Sequence, residues 1–80
     1  VGNTFALGDA EVAEVEVHTG SELTGRPVRS LRLPHDLTLG GLIRGDEAIL
    51  IDGNTEILPG DRLIIFFLPG ALLKLQRLFK

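Results

Sequence analysis

The polar and apolar positions fall into five patterned stretches separated by turn chemistry. From Ala13 to His18 the chain alternates, with Ala13, Val15 and Val17 on one side and Glu14, Glu16 and His18 on the other. This period of two is that of a half-buried strand with an acidic outer face. After the turn cluster Thr19-Gly20-Ser21-Glu22, the stretch Leu23 to Leu31 reads as a short helix. Thr24 or Gly25 would lie near its N-cap, and Pro27 in its first turn, where the missing N–H costs nothing. Val28 and Leu31 would face the core, and Pro34-His35-Asp36 ends the element.

Two apolar runs, Thr38 to Arg44 and Glu47 to Ile51, flank Gly45-Asp46, a pair whose leading glycine suits a type II′ hairpin. Gly40-Gly41 inside the first run marks a bulge or a close approach by another backbone or a ligand. Pro59-Gly60-Asp61 then turns the chain into Leu63 to Leu68, six consecutive apolar residues rich in β-branched and aromatic types. Such a run is a buried strand that needs cover on both faces. Asp61 is placed to accept hydrogen bonds from the backbone N–H groups of its own turn. Beyond Pro69-Gly70, Ala71 to Lys80 reads as a helix with an apolar stripe of Leu72, Leu75, Leu78 and Phe79 and a basic one of Lys74, Arg77 and Lys80.

The expected fold class is thus α+β: strand, short helix, β-hairpin, long strand, C-terminal helix. Helices would pack on a small, mainly antiparallel sheet, with the long strand at its centre. One face of that strand would meet the domain's own core, and the other the C-terminal helix or a symmetry mate.

Eighty residues make one small domain near the lower limit of what folds alone, so self-association is plausible on size grounds. With no methionine, the segment reads as a piece of a longer protein, and residues 1 to 10 as a linker from a preceding domain. The absence of cysteine excludes thiolate catalysis, disulfides and Cys-ligated metals. A net charge of −3 argues against a nucleic-acid partner. No apolar run approaches the roughly 20 residues of a membrane span, so direct membrane insertion is not expected. The first 25 residues hold five acidic side chains and no Lys or Arg, whereas Arg62, Lys74, Arg77 and Lys80 follow Asp61. These opposite ends would meet within the fold, meet across a dimer, or stay separately solvated.

Candidate chemistry is sparse. The hydroxyl residues form no nucleophile elbow or triad, and His18 and His35, the two histidines, have no second ligand at metal-site spacing. No catalytic residue and no metal site is therefore assigned. Arg26, Arg29 and Arg32, with His35, form a basic edge for an anion, for a partner, or for Glu14 and Glu16. Gly40, Gly41, Leu42, Ile43 and Arg44 form the candidate ligand site, in which the glycines allow close approach and Arg44 holds an anionic, planar ligand. The simpler alternative leaves Arg44 in water or paired with Glu47. The expected self-association surface is Phe66, Leu68, Leu72, Leu75, Leu78 and Phe79.

Three stretches, in order, resemble words of one family: Leu23-Thr24-Gly25-Arg26-Pro27-Val28-Arg29-Ser30-Leu31, then Leu42-Ile43-Arg44-Gly45, then Thr55-Glu56-Ile57-Leu58-Pro59-Gly60-Asp61-Arg62-Leu63. The chain over residues 11 to 80 is identified by them as similar to the TrkA-C domain, the C-terminal lobe of RCK domains (regulators of potassium conductance). The resemblance implies a cytoplasmic, dimerising regulatory lobe of a potassium transport system, held at the inner face of the membrane through a membrane-embedded cation transporter. It also implies a nucleotide-binding lobe elsewhere in the parent. No G-x-G-x-x-G occurs here, so no NAD or ATP, and no other cofactor, is assigned to these residues. Family members differ in effector, and a cyclic dinucleotide or a cation is what the resemblance implies; Arg44 matches the family arginine near the dimer cleft. The competing reading is a purely structural interaction or spacer domain without a small-molecule ligand.

Overall fold

The computed structural model describes residues 4–79. Five strands form one antiparallel sheet: β1 (Thr4–Leu7), β2 (Ala10–Glu16), β3 (Leu37–Arg44), β4 (Glu47–Ile49) and β5 (Arg62–Phe67), in the spatial order β1-β2-β5-β3-β4. The apolar strand β5 is central, pairing with β2 on one side and β3 on the other. A single 3₁₀ turn, Val28–Ser30, lies in the long β2–β3 connection; a second, Pro69–Ala71, leads into helix α1 (Leu72–Leu78). The expected α+β class and central long strand are both present.

Alternation decides which face of the sheet is covered. Ala13, Val15 and Val17 from the β2 side, Leu37 and Leu42 from β3, and Leu63, Ile65 and Phe67 from β5 are buried on one face. Leu23, Ile57, Ala71 and Leu75 complete this core. Helix α1 therefore covers the face that the core already occupies, not the second face of β5, for which it is one of the two covers expected from the sequence. On that second face Ile64 is half-buried and Phe66 is exposed.

Phe66 has a local explanation. The β3–β5 register shifts between Leu39 and Gly41, so Gly40 is the bulged residue. A Cβ built on Gly40 would lie 2.3 Å from the Phe66 ring. The glycine thus allows close approach to a side chain of its own chain, and the ring lies over the bulge. The hairpin at Gly45-Asp46 forms as expected, with Gly45 at φ +62° and Arg44 opposite Glu47.

Three sequence expectations are corrected. Residues 4 to 7, read as part of a linker spanning 1 to 10, form β1, which pairs with β2 through the turn Gly8-Asp9; residues 1 to 3 of that linker lie outside the described residues. The helix expected over Leu23 to Leu31 is reduced to the 3₁₀ turn. Pro27 is extended (φ −69°, ψ 152°), and the N–H groups of Val28 and Arg29 donate to Thr55 O and Gly53 O at 2.9 and 3.0 Å. Those long-range acceptors, joined by bridges from Thr24 to Ile57 and Pro27 to Glu56, outcompete intrahelical bonding. Finally, Leu75 is fully buried in the core and cannot belong to an exposed association surface. Lys80, part of the expected helix and its basic stripe, lies outside the described residues.

Gly40→Ala is expected to displace the Phe66 ring and lower stability by about 1–3 kcal/mol, the usual range for overpacking. In a Phe66→Ala background the same substitution should cost much less. Equal losses of unfolding free energy in the two backgrounds would show that the ring is not what the glycine accommodates.

Candidate functional site

The structure joins the hairpin arginine to the turn that precedes β5. Gly60 takes φ +91°, and Asp61 follows it with only 1% of its surface exposed. A carboxylate so placed must be satisfied within the protein. Its Oδ2 accepts from Leu58 N at 2.8 Å, which is the turn bond expected from the sequence. Arg44 supplies the rest: Nε donates to Asp61 Oδ1 at 2.9 Å and Nη2 to Asp61 Oδ2 at 2.8 Å, a two-pronged pair. Arg44 Nη2 also donates to Glu56 O at 3.0 Å. Of the alternatives drawn from the sequence, pairing with Glu47 does not occur; the partner is a carboxylate 17 residues away.

The backbone of the same turn binds the neighbouring strand. Val17 N donates to Asp61 O and Gly60 N to Val17 O, both at 2.8 Å, so pairing continues past the end of β2. Asp61 thereby links the β2 side, the turn and, through Arg44, the end of β3.

Electrostatics follow this geometry. The Arg44 hydrogen bonds hold the Asp61 carboxyl below its ordinary 3.8; burial opposes them, and the Leu58 N–H and the positive charge of Arg44 assist. The same hydrogen bonding raises Arg44, with burial acting against it.

The five candidate ligand residues do not converge on one concave surface. Leu42 is buried in the core, and Ile43, its neighbour in the strand, points to the opposite face. Gly40 lies beneath Phe66, and a Cβ on Gly41 would approach Ile49 O to 3.2 Å. Arg44 retains 37% side-chain exposure, and its Nη1 makes no hydrogen bond among the described residues.

The basic edge is also divided. Arg29 Nη1 donates to Asn54 Oδ1, while Arg26 and Arg32 are exposed without ion pairs among the described residues. Glu14, expected to meet that edge, instead lies 3.5 Å from Arg62 on neighbouring β5. Of the expected association surface, Phe66, Leu68 and Leu72 are exposed, whereas Leu78 and Phe79 are half-buried against the core. Leu50 and Leu73, which the sequence analysis did not single out, are more exposed still, at 88% and 68%. No group of three or more His, Asp or Glu side chains among the described residues is arranged to hold a metal. No helix among them is long and apolar enough to cross a membrane.

This architecture, a one-sided antiparallel sheet closed by a short C-terminal helix, is that of a small α+β lobe. The TrkA-C domain family model matches residues 12–80, and the chain belongs to that family. A Trk system potassium uptake protein TrkA homolog of Archaeoglobus fulgidus is 33% identical over 69 residues, which are 86% of this chain and 16% of that protein. The Trk system potassium uptake protein TrkA of Mycobacterium tuberculosis is 31% identical over 74 residues, 92% of this chain and 34% of that protein. The chain therefore spans between about a sixth and about a third of the length of these relatives. Among solved structures, "Structure of RCK domain with cda" superposes with a TM-score of 0.69 at 23% identity, covering 86% of this chain and 97% of that one. At that identity the likeness is one of fold.

Folding lowers the Asp61 pKa, so the pair's stabilisation is complete above the carboxyl's unfolded value and is lost as pH falls through the folded one. Asp61→Asn is expected to reduce unfolding free energy by about 2 kcal/mol near neutral pH. The deficit should shrink as pH drops well below 3.8. Denaturant unfolding at several pH values checks this; a deficit independent of pH would contradict the assignment.

Proposed function

We propose that this chain is the regulatory lobe of a potassium transport regulator of the Trk type, without catalytic activity of its own. The observation that carries this reading is the family match over residues 12–80, supported by TrkA relatives that align across most of the chain. The lobe acts as a dimer. Its position is cytoplasmic, and it works on a membrane-embedded cation transporter through the longer parent protein.

Regulation in this scheme is a population shift. An effector that binds one arrangement of two lobes better than another changes the balance between them, by no more than its difference in affinity. A cyclic dinucleotide is the effector we test first. The Nη1 of Arg44, without a hydrogen bond among the described residues, is the donor that a phosphate oxygen would meet. The exposed residues Phe66, Leu68 and Leu72 form the proposed self-association surface; Leu75 is removed from it by full burial, and the half-buried Leu78 and Phe79 are left out of it.

The dispersal of Gly40, Leu42 and Ile43 over two faces and a filled bulge favours the second reading, a structural interaction domain without a small-molecule ligand. The two separate in one pair of measurements. Sedimentation should show a dimer that Leu72→Asp weakens at least tenfold. Addition of cyclic di-AMP should raise the melting temperature, as any ligand bound only by the native state does. A dimer with no thermal shift selects the structural reading; a monomer at high concentration sinks the dimer itself.

A further inference from the structure

The end of β2, the loop after it and the last turn of α1 border an open cleft of about 320 Å³, a size at the lower end of small-molecule sites. Glu16 and Glu22 line it from the strand and loop, Arg77 from the helix, and Leu78 and Phe79 form an apolar wall that rests on the core. Among the described residues neither carboxylate forms an ion pair with Arg77. Charges of both signs thus border one cleft with no ion pair joining them among the described residues.

That arrangement restricts the ligand. The acidic groups do not gather into a metal-binding cluster. A simple anion would meet two carboxylates, and a simple cation would meet the guanidinium. A zwitterion satisfies both ends, and the half-buried wall asks for an apolar body between them. We propose that this cleft binds a free α-amino acid with an apolar side chain. Its ammonium lies at Glu16 and Glu22, its carboxylate on the Arg77 guanidinium, and its side chain against Leu78 and Phe79. Occupancy would fasten the last turn of α1 to the loop after β2. The site shares no residue with the Arg44–Asp61 pair or with Phe66, Leu68 and Leu72, so it stands or falls independently of the function proposed above.

Calorimetric titration of the chain with L-leucine, isoamylamine and 4-methylpentanoate tests it, because the two analogues each lack one charged end. Leucine is expected to bind saturably and at least tenfold more tightly than either analogue. Arg77→Gln, at an exposed position, should leave the unfolding midpoint unchanged and bring leucine down to the affinity of isoamylamine. Absence of saturable leucine binding, equal affinity for leucine and isoamylamine in the unaltered chain, or a folded Arg77→Gln protein that binds leucine unchanged would each overturn the proposal.

Discussion

Asp61 is the point at which this small fold is tied together. Its side chain is buried, so its charge has to be met by donors inside the protein, and Arg44 and Leu58 N meet it. The donors belong to separate parts of the chain: Arg44 ends β3, and Leu58 begins the turn before β5. The Asp61 backbone meanwhile extends the ladder beside β2 through Val17. One residue therefore fixes where β5 starts relative to both neighbours. Register in a sheet with one covered face is decisive, since a slip of one residue would send Leu63, Ile65 and Phe67 to the wrong side.

The sheet's second face is managed without another layer. Glu14 and Arg62 give it charge, and the Phe66 ring lies over the Gly40 bulge, shielding part of the apolar surface that the strand must present. Of the other exposed apolar residues, Leu68, Leu72 and Leu73 cluster in sequence around the start of α1, while Leu50 and Leu58 lie apart from them in the connection between β4 and β5. This distribution, more than overall hydropathy, is what supports the proposed self-association surface. It also separates two regions of possible chemistry, the Arg44 end of the hairpin and the cleft at the far end of the helix.

Local periodicity made much of this fold legible. Alternation over Ala13 to Val17 identified β2 and its buried face, the apolar run identified the central strand, and Gly45-Asp46 identified the hairpin. Gly40-Gly41 pointed correctly to a bulge, although what approaches is a phenyl ring of the same chain. The first hairpin was missed even though Gly8-Asp9 repeats the dipeptide of the second, because the strand before it is only four residues long. The stretch around Pro27 was misread as helix because its hydrogen-bond acceptors, Gly53 and Thr55, lie far along the chain. Arg44 illustrates the same limit at the candidate site. A local reading offers Glu47, its cross-strand neighbour, but Glu47 is exposed, whereas Asp61 is buried and gains more from a fixed guanidinium.

A double-mutant cycle on Arg44 and Asp61 tests most directly whether this pair holds the fold together. Unfolding free energies of Arg44→Ala, Asp61→Ala and the double variant, measured near neutral pH, should reveal a coupling above about 1 kcal/mol, with the double variant little worse than Asp61→Ala alone. Losses that simply add would mean that the two side chains act independently, and the fold would then owe its register to the core alone.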